Sequence, residues 1–167
     1  MNITEIIDIL ETDTLSYKFS SSGLQYLSLK DRDGEHCLNL KTYREKDETD
    51  PFKRLLIRET INFLNKGTHS MPLDLSQFTD FQRAVYKEVS KIKRGEIYTY
   101  KEVAIMLSKP EGARAVGNAL SKNPVSYFIP THRVLPKSGI GSCTSGAGYL
   151  KKKLLILEGH DIKAIRS

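Results

Sequence analysis

His132 stands between Thr131 and Arg133 behind an apolar run, Tyr127-Phe128-Ile129-Pro130, and imidazole is the side chain that takes up and releases a proton near neutral pH. Alone after such a run, a histidine is more often a satisfied core or surface residue than a catalyst. Glu158 lies far along the chain and Asn123-Pro124 closes a small-residue segment, so acid, base and amide groups are available if the fold gathers them. Arg114 opens that segment, among Gly112, Ala113, Ala115, Gly117 and Ala119. A guanidinium placed there can reach a phosphate or fill a vacancy in a base stack, while small side chains let a helix backbone approach a groove or another helix. Tight helix packing is the plainer reading of the small residues, and Arg114 moves the balance toward a polyanion. The two cysteines, Cys37 and Cys143, have no CxxC partner and no surrounding histidines, so neither a zinc knuckle nor a disulfide framework is expected.

The elements that must position these groups divide the chain by charge. Residues 1–77 carry 10 Lys/Arg against 13 Asp/Glu, a net −3, and residues 78–167 carry 16 against 7, a net +9. The basic half is the candidate polyanion binder. A chain of 167 residues with 39% hydrophobic and 28% charged residues is long enough to bury a sizeable core and is neither collagen-like nor disordered. Its longest aliphatic stretch, Leu154 to Leu157, is far short of the roughly 20 residues that span a bilayer, and Met1 to Glu5 do not resemble a signal peptide. A cytosolic, nucleoid or nuclear location with no membrane partner is expected.

An α/β (α+β) fold in two domains, 1–77 and 78–167, follows from the pattern. In the first, Leu15, Tyr17 and Phe19 alternate with polar residues, as do Leu38 and Leu40, with Asp33-Gly34 as a turn between the two runs, which predicts a small antiparallel sheet. Leu56, Ile57, Thr60, Ile61 and Leu64 then recur at helical spacing until Gly67, and Met71 to Gln77 reads as a linker. In the second, Thr79 with Gln82 and Thr99 with Glu102 have capping-box spacing. They predict one helix carrying Phe81, Val85, Val89 and Ile92, and another starting at Tyr100 with Val103, Ala104 and Leu107 as its stripe. Ser108 to Glu111 break that helix before the small-residue helix from Gly112 to Ser121, a helix-turn-helix arrangement, and Tyr127-Phe128-Ile129 reads as a short strand.

Tyr100, Arg114-Ala115-Val116-Gly117, Asn123-Pro124, Pro130 to Val134, and Leu154-Leu155 with Glu158-Gly159 occur in an order and spacing that resembles the O6-alkylguanine-DNA alkyltransferase family. The resemblance is dense over residues 78–161 and looser before them, ending in Pro72-Leu73-Asp74-Leu75. It implies a protein that extrudes O6-alkylated guanine from double-stranded DNA and moves the alkyl group onto a cysteine, acting as a monomer without cofactor or metal. By the same resemblance Tyr100 would crowd the phosphate of the rotating nucleotide, Arg114 would fill the hole in the stack, and Ala113, Ala115 and Gly117 would let their helix lie in the minor groove. Arg133 is grouped with these DNA-contacting residues. Asn123 would brace the acceptor segment, His132 would act as base through a water, and Glu158 would orient the imidazole. Thr144, Ser145 and Gly146 would wall the base pocket, and Lys151 would add positive potential. Each has a plainer alternative: Asn123 a helix stop, Glu158 a carboxylate near the C-terminal helix, Lys151 to Lys153 a solvated face.

The family motif reads Pro-Cys-His-Arg, and here the acceptor position holds Thr131. Displacing guanine from a saturated carbon needs a polarizable thiolate, whereas an alcohol is negligibly ionised near neutral pH and is a harder nucleophile, so no transfer is expected. Two readings of Thr131 stand: a substitution introduced into an active alkyltransferase, or a natural alkyltransferase-like protein that binds lesions and passes them to downstream repair proteins. Thr144, where the family's wall carries tyrosine, favours the second, and the retained N-terminal domain, commonly lacking in that natural class, favours the first. Cys143 could substitute as a thiol only if its loop pointed inward. A helix-turn-helix regulator that reads sequence is the alternative of another class, but the small-residue helix is poor in side chains that read base edges.

Overall fold

The alternation of Leu15 and Tyr17 is realised in a three-stranded antiparallel sheet whose central strand is β1, Thr14–Ser20, flanked by β2, Gly23–Ser28, and β3, His36–Asn39. In this computed structural model, residues 2–10, 12, 14–29, 36–140, 146–162 and 164–166 are described. The Asp33-Gly34 turn lies outside them. A tight connection joins β1 to β2, and β2 itself was not expected. Its register explains why: Lys18 pairs with Tyr26 and Phe19 with Leu24, so Gln25 is an extra residue and the buried Leu24 and Leu27 fall three apart. A bulge of this kind removes the period-2 signal.

The chain divides into two units, the first being Met1–Leu75 with Pro124–Phe128 and the second Ser76–Asn123 with Ile129–Ser167. Five residues that the sequence assigns to the C-terminal half thus fold with the N-terminal one. In the first unit, helix α1, Ile3–Leu10, was also unexpected, although Asn2 and Glu5 cap it reciprocally, each side chain accepting the other's backbone N–H at 3.0 and 2.8 Å. Helix α2, Pro51–Lys66, starts at the N-cap Asp50 and ends at Gly67, burying Leu56, Ile57, Phe63 and Leu64. Met71 to Leu75 is no free linker. Leu24 donates to the Pro72 carbonyl at 2.8 Å and Asp74 to that of Leu24 at 3.0 Å, and a Cβ on Gly23, at φ 146°, would come within 2.4 Å of the Pro72 oxygen. Only glycine permits that approach.

Tyr127-Phe128-Ile129 is a buried turn and not the expected strand. Tyr127 takes φ 26°, outside any strand conformation, and its hydroxyl meets Thr60 Oγ1 at 2.8 Å. The Thr60 proton goes to the Leu56 carbonyl at 2.7 Å, so Tyr127 is the donor. An apolar run reports burial without fixing the conformation that achieves it.

The second unit is mostly helical. Both capping boxes form, Thr79 with Gln82 ahead of α3, Asp80–Val89, and Thr99 with Glu102 ahead of α4, Tyr100–Met106. Helix α5, Ala113–Ser121, follows a turn in which a Cβ on Gly112 would lie 2.9 Å from the Lys109 carbonyl oxygen, and Tyr86 of α3 donates to the Ala119 carbonyl at 2.9 Å. Two short parallel strands, β4 at Tyr98–Thr99 and β5 at Val134–Leu135, and helix α6, Gly146–Leu157, complete the unit. Leu135, Ile140 and Leu155 bury together against Ile97, Ile162 and Ile165. Each such side chain removed from water contributes about 1.5–3 kcal/mol before entropy is subtracted.

Candidate functional site

Thr131, His132 and Arg133 form a single 3-10 turn closed by the Arg133 N–H on the Pro130 carbonyl at 3.0 Å. The turn runs directly into β5, whose register pairs Val134 with Tyr98 and Leu135 with Thr99. Thr99 is also the N-cap of α4, so Tyr100, the first residue of that helix, follows β4 just past the level of Leu135, at the end of the strand pair away from the turn. The β4–β5 pair joins the segment before α4 to the segment after the turn.

His132 is 3% exposed, and its Nε2 lies 2.9 Å from Oε1 of Glu158, just past the end of α6. Arg133 is 1% exposed and clasps the same carboxylate, Nε at 3.1 and 3.0 Å from its two oxygens and Nη2 at 2.7 Å from Oε1, while Nη1 donates to the Ile92 carbonyl at 2.7 Å. Burial by itself would push the Glu158 carboxyl up, but the hydrogen bonds and charges of His132 and Arg133 outweigh it and hold the group at about 2. Burial pushes His132 below its usual pKa, against the opposing pull of Glu158, with Arg133 and Lys151 adding to the depression. The imidazole is thus neutral near pH 7 and able to accept a proton, and the carboxylate is ionised and able to stabilise the cation that results.

Arg133 cannot serve as a DNA contact in this arrangement. Its guanidinium is enclosed and bound to Glu158 and Ile92, and an enclosed cation presents nothing to a phosphate. An arginine suits DNA by residue type, and the acid that holds this one inward, Glu158, lies 25 positions further along the chain.

Asn123 donates from Nδ2 to the Ile129 carbonyl at 3.2 Å, and the Thr131 N–H reaches the same oxygen at 2.7 Å. The amide thus ties the end of α5 to the chain entering the turn. Lys151 of α6 donates to the Val134 carbonyl at 2.6 Å, a contact sequence reading missed because it is made to backbone. Gly146 is the first residue of α6, whereas Thr144, Ser145 and Cys143 lie outside the described residues. On α5, Arg114 and Ala115 are exposed, Ala113 and Gly117 are partly covered, and a Cβ on Gly117 would lie 3.9 Å from the Tyr100 ring. Among the described residues, no group of three or more His, Cys, Asp or Glu side chains could hold a metal ion, and no helix is long and apolar enough to cross a membrane.

Residues 80–160 match the model of the 6-O-methylguanine DNA methyltransferase DNA binding domain. A methylated-DNA–protein-cysteine methyltransferase of Sulfurisphaera tokodaii is 47% identical over 91 residues, which cover 54% of this chain and 56% of that one. The same-named protein of Metallosphaera sedula is 51% identical over 83 residues, 50% and 51% of the two chains. The matched region thus spans about half the length of these curated relatives. Among solved structures, that of Mycobacterium tuberculosis OGT in complex with DNA superposes with a TM-score of 0.62 at 31% identity, covering 86% of this chain and 85% of that one. The mixed α/β fold with its small antiparallel sheet is shared with that structure. The chain belongs to the O6-alkylguanine-DNA alkyltransferase family, a family of DNA-binding DNA repair proteins.

Proposed function

We propose that this protein binds double-stranded DNA through α5, extrudes O6-alkylated guanine and retains it beside Thr131 without accepting the alkyl group. The observation that carries the reading is the buried His132–Glu158 pair at 2.9 Å adjoining a turn whose first residue is a threonine. The proton-handling groups are in place, and the acceptor atom is an alcohol. A neutral imidazole can relay a proton through water, but an alcohol attacking a saturated carbon has no thiolate polarizability and no oxyanion for the site to stabilise.

Tyr100 and Arg114 supply the extrusion in this reading, the ring crowding the phosphate and the exposed guanidinium occupying the vacated stack. Ala113, Ala115 and Gly117 allow close approach of α5 to the groove, Asn123 holds the entry to the turn, and Thr144, Ser145, Gly146 and Lys151 border the base. The protein acts as a monomer, and a bound lesion would pass to downstream repair proteins. Binding isotherms on matched duplexes with and without one O6-methylguanine test this. A methyl-sized group is worth about 1–3 kcal/mol in a pocket, and a poorly paired base costs less to extrude, so a preference on the order of tenfold is expected. Indifference to the lesion with a strong sequence preference would instead indicate a helix-turn-helix regulator.

A further inference from the structure

We propose that Arg94 positions the His132–Glu158 pair by holding the carbonyl of Leu157, in the peptide plane from which Glu158 leaves α6; this rests on reading that pair as the proton-handling groups of the site. The end of α6 shows what the contact does. A helix leaves its last carbonyls without partners, and here the chain turns back at Gly159, φ 93°, to supply most of them. The Glu158 N–H donates to the Leu154 carbonyl at 3.0 Å, that of His160 to Leu155 at 3.0 Å, and that of Gly159 to Ile156 at 2.9 Å. The Leu157 carbonyl accepts instead from a side chain, through Nη2 of Arg94, 63 positions earlier.

The Leu157 carbonyl and the Glu158 N–H belong to one rigid plane, so the bond that satisfies the first also sets the direction in which the Glu158 backbone leaves the helix. The charge balance points the same way. A carboxylate at a helix C-terminus faces the negative end of the peptide dipoles, and α6 carries no basic residue in its last turn to offset them. Arg94 brings a cation there from another segment. It stands in the loop after α3, where Gly95 takes φ 83° and the Lys93 carbonyl accepts the Glu96 N–H at 3.1 Å. Two residues before it, the Ile92 carbonyl accepts from Arg133 Nη1 at 2.7 Å. One loop therefore grips both the helix end that carries Glu158 and the guanidinium that clasps its carboxylate. Arg94 is not among the motif residues that resemble the family.

Arg94→Met keeps an aliphatic stem and removes every donor, whereas Lys93→Ala removes an equal charge from the neighbouring residue and leaves the Leu157 contact in place. Each change is made with Thr131→Cys, and the rate of iodoacetamide alkylation at position 131 is followed against pH by peptide mass spectrometry, in the absence of DNA. In the Thr131→Cys protein the midpoint is expected below the ordinary thiol value of about 8.5, because an imidazole backed by Glu158 takes the thiol proton more readily. Adding Arg94→Met should raise it by about one unit, since Arg133 alone then directs the carboxylate and the imidazolium loses support. Adding Lys93→Ala should leave it within a few tenths. An unmoved midpoint with Arg94→Met, an equal rise with Lys93→Ala, or loss of cooperative melting with Arg94→Met would overturn the proposal. An ordinary midpoint already in the Thr131→Cys protein would overturn it together with the proton-handling role of the pair. Failure of the parent protein to prefer lesion DNA would sink the proposed function and leave this result standing, because no DNA enters the assay.

Discussion

At the scale of residues, Glu158 does two jobs at once, neutralising the enclosed Arg133 and holding the His132 ring. Removing one member of a buried ion pair leaves the other charge uncompensated, so Glu158→Ala should lower unfolding stability by about 3–5 kcal/mol in denaturant titration. The same groups set the response to acid. Both His132 and Glu158 bind protons more weakly folded than unfolded, from ordinary values of 6.5 and 4.5, so the unfolded chain takes up more protons and stability rises with pH. Stability should therefore begin to fall as pH drops below 6.5, with the Glu158 contribution lost between about 4.5 and 2. Melting temperatures flat from pH 7 to 3 would contradict this. Arg114 is exposed and borders none of these groups. Its replacement by alanine should weaken DNA binding and lesion extrusion together while leaving the melt unchanged, and a fluorescent base analogue that brightened equally with Arg114→Ala and parent protein at saturation would exclude a stack-filling role. His132 and Glu158 could be picked out individually in the sequence, but the placement of Arg133 could not, because a Thr-His-Arg triplet does not say which side chain faces inward.

At the scale of elements, the turn between α4 and α5 leaves no room for a side chain at Gly112. A Cβ on Gly112 would sit 2.9 Å from a backbone oxygen, an atom that cannot move aside, so Gly112→Ala should cost about 1–3 kcal/mol in stability. It should also weaken DNA binding, as α5 would shift against α4; an unchanged melt would mean that the turn yields more than its geometry suggests. Helix starts were the most legible feature of this sequence. Thr79, Gln82, Thr99 and Glu102 announce α3 and α4 by local chemistry that tertiary packing does not alter. Asn2 and Glu5 start α1 by the same reciprocal chemistry. Strands were less legible, since the bulge at Gln25 erased the alternation of β2, and the buried turn at Tyr127 imitated a strand through its apolar composition.

At the scale of the whole molecule, charge segregation is readable from composition alone, and it bears on the polyanion partner more than on the fold. With +9 on residues 78–167, affinity for undamaged duplex should fall steeply and linearly with the logarithm of salt concentration, whatever the sequence of the duplex. Threonine and cysteine are close in volume, so Thr131→Cys should be accommodated at this half-buried position and should confer methyl transfer from DNA; a variant that folded and bound the lesion yet took up no label would mean that transfer needs more than a thiol restored at position 131. The residues around the Thr131–Arg133 turn stand out in the sequence one by one. The contacts of Ile92 and Lys151 with this region do not, because they run through backbone atoms across long separations. The central claim, retention without transfer, is tested most directly by prolonged incubation of the protein with a duplex carrying methyl-labelled O6-methylguanine, followed by mass spectrometry of both partners. The expected result is a complex in which the lesion persists and no peptide gains a methyl group; a methyl adduct on Thr131 or Cys143, with matching loss of the lesion, would contradict it and make the protein a working transferase.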